Sequence, residues 1–431
     1  MTHLPSGLTR RELVKWLALS GTGLALASCG ASATPTANPG AAGAKPTGPI
    51  NYWHHFTSDT EMKGMERIIA TFKTKYPEVT LTPENIPNKD YMAKFTSAVQ
   101  ANSRPDTAMV SADRVVDMVA MNGLQDLTTK INAWDGKKNF PDNRWNLGTI
   151  NGKIYGVPAF MFVNWMYYRA DWFKEAGISG PPKTWGEFQE AAIKLTDPAK
   201  GRYGFGMRGG DGGEGWVTTL FRAFGSPLVD DKGKPAIDAA KATEALKFYV
   251  ELFTKYKTAP QSAPQDSFAS MMSGFKTGQT AMILHHTGSL KEVKDLLGDK
   301  FLTAPMPAGP GARIADVTPL YNGIMKNDRS DASWAWVTHW GDADSSIALL
   351  EETGYFPAST AVAADKRVVD NPLYKAAIET LGFGTQAPQF NGNAGWSKQS
   401  VLPAFQKALL GQSTPEQAVA EMIDGLKKAT A

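Results

Sequence analysis

Apolar and polar positions along the body of the chain follow two alternating periods, which indicates strands that lead into helices. A short apolar strand is predicted over residues 50–53, and a helix with its apolar residues on one face follows over 60–76. A second strand is predicted over 77–82. Strand, helix and strand form a βαβ unit, which implies a parallel sheet.

The same alternation continues through the rest of the chain and predicts an α/β protein. Further strands are expected at 105–111, 202–207, 278–284 and 302–307, and further helices at 91–101, 183–195, 217–224, 240–256, 268–276, 330–340, 401–410 and 416–429. The segment 151–188 lies in the middle of this pattern. It contains a strand that Pro158 closes and an extended aromatic stretch over 160–168. Thr184 and Glu187 have the spacing of a capping box at the next helix.

Composition narrows the class of protein. A length of 431 residues suggests two or three domains, and a hydrophobic content of 42% is enough for real cores. The net charge is only +3, and no block of Lys and Arg forms a phosphate-binding face. We therefore expect no nucleic-acid partner.

The N-terminal 29 residues are predicted to be an export signal. Arg10-Arg11 precedes an apolar run over 16–27 that is shorter than the ~20 residues of a membrane span. The paired arginines resemble a twin-arginine signal, although an ordinary signal that contains two arginines is the alternative. Cys29, the only cysteine, ends the run as in a lipobox and would carry the lipid anchor; the alternative is a buried or reactive thiol. Residues 30–49 would be a flexible tether.

Several short motifs resemble family-1 extracellular solute-binding proteins, the carbohydrate receptors of bacterial ABC importers. They are Tyr155-Gly-Val-Pro158, the Tyr-Tyr-Arg at 167–169, Pro182-Lys-Thr-Trp185, and the F-x-x-G-x-x-A-M pattern at 275–282. One small departure is that residues 168–170 are Tyr-Arg-Ala, where Tyr-Asn-Lys is usual. The resemblance implies a periplasmic-binding-protein-like fold, α/β, with two lobes joined by crossing hinge segments. The first lobe would hold residues 50–158 and 279–320, and the second 159–278 and 321–431.

The resemblance also implies a function. The chain would be a lipid-anchored, monomeric receptor that captures a mono- to oligosaccharide in the cleft between its lobes by hinge closure. Its partners would be the permease subunits of an ABC transporter, and it would need no cofactor. We expect it at the outer face of the cytoplasmic membrane or in the periplasm, and we expect no enzymatic activity.

Ligands of open α/β sheets bind beyond the carboxyl ends of the strands, so we expect the binding residues there. Asp113-Arg114 resembles a pair that grips sugar hydroxyls in related receptors, with a surface salt bridge or a helix cap as the alternative. Trp216 and Trp396 are expected to stack on the sugar, although Trp216 could instead pack in the core. The candidate ligand-binding residues are His54, His55, Asp113, Arg114, Phe160, Asn164, Glu214, Trp216, His286, Tyr321, Asn322 and Trp396.

Three other functions remain open. A polyol or a glycerol phosphodiester could replace the sugar, since related receptors take them. The histidine pairs 54/55 and 285/286 could bind Zn or Cu, although neighbouring residues on a strand point to opposite faces. Asp113 and Glu214 could serve glycoside hydrolysis if held ~5–9 Å apart. The glycine-rich loop 209–215 lacks the lysine and the spacing of a phosphate-binding loop.

Overall fold

The computed structural model describes residues 45–326, 331–390 and 392–431. The predicted export signal, the lipidated Cys29 and most of the predicted tether lie outside the described residues. The strands are β1 Gly48–His54, β2 Val79–Asn85, β3 Thr107–Ser111, β4 Thr149–Ile150, β5 Lys153–Ile154, β6 Val157–Arg169, β7 Tyr203–Gly206, β8 Thr280–His286, β9 Phe301–Ala304, β10 Val317–Ile324 and β11 Phe356–Pro357.

Helices surround these strands, as the alternating pattern predicts. They are α1 Asp59–Lys75, α2 Tyr91–Gln100, α3 Val115–Ala120, α4 Thr128–Asn132, α5 Ala170–Glu175, α6 Trp185–Leu195, α7 Glu214–Ala223, α8 Ala239–Thr254, α9 Phe268–Lys276, α10 Leu290–Leu297, α11 Asp331–His339, α12 Ala343–Thr353, α13 Thr360–Ala363, α14 Lys366–Val369, α15 Lys375–Leu381, α16 Asn393–Trp396, α17 Leu402–Leu409 and α18 Pro415–Ala429.

The long strand β6 joins two half-sheets. Its first part pairs antiparallel with β10, and β10 pairs antiparallel with β3. β3 pairs with β1 and β1 with β2, and these three strands run parallel to one another. Its second part pairs antiparallel with β8 and β9, and β8 runs parallel to β7. We call the half with β1–β3 the first lobe and the half with β7–β9 the second lobe.

The strand pairing differs from the predicted lobe boundaries. The sequence predicts β8 in the first lobe, but it lies between β6 and β7 in the second. It also predicts residues 321–431 in the second lobe, but α11 contacts β1 and β10, and α12 packs on α1. An apolar strand has the same pattern whichever sheet it joins, so periodicity could not decide this. We therefore propose that residues 48–156 and 317–353 form the first lobe.

Two local expectations also need correction. Pro158 does not close a strand, because β6 runs through it; it lies opposite Tyr321, where the register with β10 shifts between Leu320 and Tyr321. Such an irregularity is where a residue without an N–H fits inside a sheet. The Thr184 hydroxyl does accept the Glu187 N–H at 3.2 Å, but the Glu187 carboxylate accepts from the Lys183 N–H at 2.6 Å, one residue before the cap.

Each lobe has an aromatic core. In the first lobe Trp336 packs edge-on against Tyr52 and Phe72, with ring centroids 5.1 and 5.0 Å away, and both Trp336 and Trp340 are fully buried as their spacing predicts. In the second lobe Phe188 packs edge-on against Phe205 with ring centroids 5.1 Å apart. These contacts fix the helices on their half-sheets and so fix the positions of the strand ends.

We predict that replacing Gly204 with alanine destabilises the second lobe. A Cβ at Gly204 on β7 would lie 1.9 Å from the Ala192 carbonyl oxygen of α6, so the helix would have to move off the sheet. The free energy of unfolding should fall by about 1–3 kcal/mol or more in urea denaturation. Gly186→Ala is the matched control: it lies on α6 with only ordinary contacts and should raise stability by about 0.5–1 kcal/mol. Equal stability of Gly204→Ala and the unmodified protein would contradict this close approach.

Candidate functional site

The carboxyl ends of β1, β2 and β3 lie together because these strands are parallel. We call the ends of these three strands, with the loops that follow them, the first-lobe edge. The edge carries His54 at the end of β1, His55 directly after it, and Asp113 and Arg114 from the loop after β3. The sequence therefore predicts correctly that these four residues share one edge.

His54 and His55 are uncharged in the folded protein. Burial lowers the pKa of His54 to about 4 against a smaller opposing effect of Glu61, and its Nδ1 accepts the Phe56 N–H at 3.3 Å, which requires an unprotonated nitrogen. Burial and the nearby Arg114 lower the pKa of His55 to about 4. Its Nδ1 is buried, and no hydrogen-bond partner for it lies within the described part of the chain.

Arg114 is held in place by its neighbours rather than by Asp113. Its Nη2 donates to the Asn88 carbonyl oxygen at 3.1 Å and to Asn88 Oδ1 at 2.6 Å, and its guanidinium lies 5.1 Å from the centre of the Tyr91 ring. Asp113 is exposed, and Arg114 rather than Asp113 occupies the cap position of α3. Arg114 Nη1 is buried and finds no acceptor among residues 45–326, 331–390 and 392–431.

The second-lobe edge is formed by the carboxyl ends of the parallel strands β7 and β8 and the loops after them. The glycine-rich loop after β7 packs directly on the chain before α9. The Gly210 N–H donates to the Asp266 carbonyl oxygen at 2.9 Å, and a Cβ at Gly210 would lie 2.5 Å from the Gln265 carbonyl oxygen. Glycine is needed there because the two backbones touch.

Four charged groups balance one another on this edge. Lys398 forms ion pairs with Asp211 at 2.5 Å and with Glu214, the first residue of α7, at 2.6 Å. Burial alone would lower the pKa of Lys398, but its bonds to the two carboxylates outweigh burial and raise it. Arg208 donates to the Asp211 carbonyl oxygen at 2.5 Å. Glu214 is 7% exposed, and its Oε2 is buried without a partner in the described segments.

His285 and His286 end β8 beside this charged group. The Gly288 N–H donates to His286 Nδ1 at 3.0 Å, and burial, with a smaller effect of Arg208, lowers the pKa of His286 to about 3. Burial holds the pKa of His285 well below its usual value, with smaller effects of His286 and Arg208. Both rings are therefore uncharged. The ring of Phe268, at the start of α9, stacks on His285 with centroids 4.6 Å apart.

A row of aromatic rings connects the two edges. Phe56 stacks on Tyr355 at 5.8 Å, Tyr355 meets Phe162 edge-on at 5.1 Å, and Phe162 lies 4.8 Å from His286. We call these four residues the aromatic row. Because Phe162 belongs to the shared strand β6, the row lies where the chain crosses between the lobes.

Other candidate residues lie in the cores rather than on an open surface. Trp216 is 6% exposed, and Trp396 is 2% exposed with its Nε1 donating to the Met422 carbonyl oxygen at 2.8 Å. Tyr321 and Asn322 on β10 are fully buried, with Asn322 Oδ1 accepting from the Tyr52 hydroxyl at 2.7 Å. In this structure neither tryptophan offers a face to a ligand, which the alternative of core packing for Trp216 anticipates.

Phe160 and Asn164 both lie on β6. Phe160 is buried and stacks on Tyr355 at 4.5 Å, so it supports the aromatic row from below. Asn164 is half-buried, pairs with His286 across the sheet, and donates its N–H to the Asp316 carbonyl oxygen at 2.9 Å. Asn164 thus lies beside the aromatic row, whereas Phe160 lies behind it.

Sequence reasoning missed Arg208, Lys398, His285 as a site residue, Phe268 and Tyr355. Arg208 carried a signal, because it follows directly on a predicted strand. Tyr355 lies in Gly354-Tyr-Phe-Pro357, which resembles the short G-x-x-P loop near the hinge of the solute-binding proteins, but that motif does not assign its ring to the site. Lys398 carried no signal, since it reaches the site from a distant segment through tertiary contacts. Across the described residues, no group of three or more His, Cys, Asp or Glu is arranged to hold a metal ion. No helix in those residues is long and apolar enough to cross a membrane.

Comparison with known proteins identifies the class. The sequence model of the bacterial extracellular solute-binding proteins matches residues 57–346, and the chain belongs to this family. The resemblance inferred from the short motifs is therefore confirmed. Members of the family are solute-binding receptors of transporters rather than enzymes.

Individual relatives agree with this assignment. The maltotriose-binding protein of Pyrococcus abyssi is 23% identical over 348 residues, which cover 78% of this chain and 71% of that protein. The mannitol-binding protein of Pseudomonas aeruginosa is 32% identical over 249 residues, or 56% of this chain and 52% of that protein. The GacH receptor of Streptomyces glaucescens, which was solved unliganded and with acarbose, superimposes with a TM-score of 0.80 at 23% identity, covering 89% of this chain and 98% of that one. The two-lobed α/β fold is thereby confirmed.

We predict that His54→Asn weakens the loss of stability in acid. The folded pKa of His54 is about 4, below its value of about 6.5 in the unfolded chain, so between these values only the unfolded state binds the proton. Stability therefore falls as the pH drops from 6.5 to 4, by up to about 1.4 kcal/mol per pH unit for this group.

The variant lacks this pH-dependent contribution of His54 to the free energy of unfolding, while the asparagine oxygen can still accept the Phe56 N–H. Urea denaturation at pH 7.5, 5.5 and 4.5 should show a shallower pH dependence for His54→Asn than for the unmodified protein. Parallel curves for the two proteins would show that His54 is not buried in its neutral form.

Proposed function

We propose that this protein is the sugar-binding receptor of an ABC importer and that its two lobes close on an uncharged saccharide. The observation that carries the proposal is the meeting of two strand-end edges, one from each lobe, across the aromatic row. Open α/β sheets bind ligands beyond the carboxyl ends of their strands, which supports a single site lined by both edges.

Buried polar atoms on both edges support a ligand rich in hydroxyl groups. His55 Nδ1 and Arg114 Nη1 on the first-lobe edge, and Glu214 Oε2 on the second, are buried without partners in the described residues. A buried polar atom without a hydrogen bond is costly, so such atoms in a native protein need an explanation. Sugar hydroxyls both donate and accept, and they would satisfy the arginine and the carboxylate alike.

Charge favours a neutral ligand over a glycerol phosphodiester. On the second-lobe edge the carboxylates of Asp211 and Glu214 offset Arg208 and Lys398. The histidines on both edges are uncharged. On the first-lobe edge a phosphodiester would meet Arg114, whose Nη1 has no acceptor in the described residues. On the second-lobe edge it would have to displace a carboxylate from Lys398, whereas a neutral sugar can bind without disturbing those pairs.

The crossing strands provide the hinge that closure needs. β6 and β10 pair with each other, and β6 continues into the second half-sheet. The Asp316 carboxylate, just before β10, accepts from Arg222 Nη2 of α7 at 2.7 Å on both oxygens and from the Thr219 hydroxyl at 3.0 Å. The side chains of Arg222 and Asp316 are 10% and 13% exposed. The ion pair fixes the start of β10 to the second lobe, so bending is expected within the crossing strands.

An acyclic polyol is the second candidate ligand. The similarity to the Pseudomonas aeruginosa mannitol-binding protein favours it, because that protein is 32% identical to this chain and the maltotriose-binding relative is 23% identical. Glycoside hydrolysis is not favoured, because Glu214 is held by Lys398 while Asp113 lies exposed on the opposite edge. We include in the proposal that the protein is not an enzyme, needs no cofactor and acts as a monomer.

The N-terminal signals complete the proposed function. Export would follow the paired arginines, and lipidation at Cys29 would anchor the protein at the outer face of the cytoplasmic membrane or in the periplasm. Residues 30–49 would then let the receptor reach its permease. The family, whose members are extracellular receptors, supports export.

We predict that a ring-form sugar raises the melting temperature of the purified protein. A ligand at 100 times its dissociation constant adds about 2.7 kcal/mol to the stability of the folded state. The panel should contain glucose, maltose, maltotriose, mannitol, glycerophosphocholine and Zn²⁺ in separate wells. A shift with a sugar and none with the phosphodiester or zinc supports the proposal, and a shift with mannitol alone supports the polyol candidate.

Arg114→Met tests whether the stabilising sugar binds at the first-lobe edge. It removes the unpartnered donor from the first-lobe edge and should reduce affinity for the stabilising sugar about tenfold or more, since a bond to a charged group contributes ~1.5–3 kcal/mol. Arg202→Met is the matched variant, because Arg202 pairs with Glu175 away from both edges. An equal loss of affinity in the two variants, or no shift in melting temperature with any ligand of the panel, would contradict the proposed site.

We predict that Cys29→Ser releases the protein from membranes. Without the thiol no lipid can be attached, and a single lipidated residue is the proposed anchor. After expression in a bacterial host, the unmodified protein should partition with the membrane fraction and Cys29→Ser with the soluble fraction. The sugar-induced thermal shift should be unchanged. Equal partitioning of the two proteins would refute lipidation at Cys29.

A further inference from the structure

The second-lobe edge has an exposed aromatic ring that the candidate residues do not include. Phe268, the first residue of α9, is 36% exposed, whereas Trp216 and Trp396 are 6% and 2% exposed. A single exposed apolar side chain is common on protein surfaces, so what distinguishes Phe268 is its position at the second-lobe edge.

The position of Phe268 is built by the edge itself. The Gly210 N–H donates to the carbonyl oxygen of Asp266, two residues before Phe268, so a backbone hydrogen bond joins the glycine-rich loop to the start of α9. The same loop carries Asp211 and, at its end, Glu214, both paired with Lys398. Phe268 thus belongs to the same edge as the charged group.

His285 supports one face of this ring. The imidazole and the phenyl ring stack at 4.6 Å with an angle of 28° between their planes. His285 itself is 4% exposed, and its Nε2 has no hydrogen-bond partner in the described part of the chain. A stacked and buried imidazole fixes the phenyl ring, and its unpaired nitrogen offers a bond to a ligand hydroxyl if the rings shift by a small amount on binding.

His286 places this pair next to the aromatic row. The rings of His285 and His286 lie 3.9 Å apart, and His286 contacts Phe162 of the shared strand β6. Aromatic rings therefore extend from the aromatic row to Phe268 at the second-lobe edge. Phe162 and His286 are half-buried, and a ligand that contacts these two rings would reach Phe268 at one end.

We propose that Phe268 is the stacking surface of the second lobe and that it selects ring-form sugars over acyclic polyols. This inference rests on the proposed function. A pyranose ring presents a flat face of C–H groups that covers a phenyl ring, whereas a polyol chain is flexible and loses conformational freedom to present one. The polar groups of both edges bind hydroxyls of either ligand, so Phe268 is the element that distinguishes them.

Binding of maltotriose and of mannitol to three variants tests the inference by calorimetry. Phe268→Ala should bind maltotriose about tenfold more weakly and mannitol within about twofold of the unmodified protein. Phe268→Tyr keeps a ring and should bind both ligands normally. Leu296→Ala is the matched control, because Leu296 on α10 is a 61% exposed apolar side chain that belongs to neither edge. Thermal melts of all variants check folding.

The outcomes separate the inference from the function on which it rests. A selective loss of maltotriose affinity in Phe268→Ala, restored in Phe268→Tyr, supports the inference. If the unmodified protein binds maltotriose and Phe268→Ala binds it equally well, or if Phe268→Ala loses both ligands equally, the inference is wrong and the proposed receptor function stands. If the unmodified protein binds neither ligand, nor any sugar of the thermal-shift panel, both fail together.

Discussion

The shared strand β6 is the constraint on which the rest of the structure depends. Its first part completes the first half-sheet through β10, and its second part completes the second through β8 and β9. Because the backbone of β6 is continuous through both half-sheets, it keeps the carboxyl ends of β1–β3 close to those of β7 and β8. The site between them follows from this connection.

Burial at the site sets its electrostatic character. The histidines at the strand ends lose their charge because a buried imidazolium is unfavourable, and backbone N–H groups confirm the neutral form by donating to His54 and His286. Of the charged groups that remain, Lys398 is paired with both Asp211 and Glu214, whereas Arg114 donates to Asn88 and Arg208 donates to the Asp211 carbonyl oxygen. The result is a site with many hydrogen-bonding groups and little net charge, which is suited to a neutral, hydroxyl-rich solute.

The two lobes divide the work of recognition unequally. The first-lobe edge offers mainly polar groups, of which Arg114 is fixed by Asn88 and Tyr91. The second-lobe edge combines the charged group with Phe268 and His285. Between them the aromatic row is anchored on β6, so closure of the lobes would bring polar groups and apolar rings onto opposite sides of one ligand.

The sequence by itself determined the α/β class, the positions of the main strands and helices, and the edge on which His54, His55, Asp113 and Arg114 lie, but not helices such as α10 and α12. These follow from local periodicity and from the rule that parallel strands end at the same edge, which need no knowledge of distant contacts. The tertiary structure decided which lobe β8, α11 and α12 join, because an apolar face does not specify its partner. It also decided that Trp396 lies in the core and Phe268 on the edge. Aromatic side chains bury wherever space and a hydrogen-bond partner allow, and for Trp396 that partner is the carbonyl oxygen of Met422, 26 residues away.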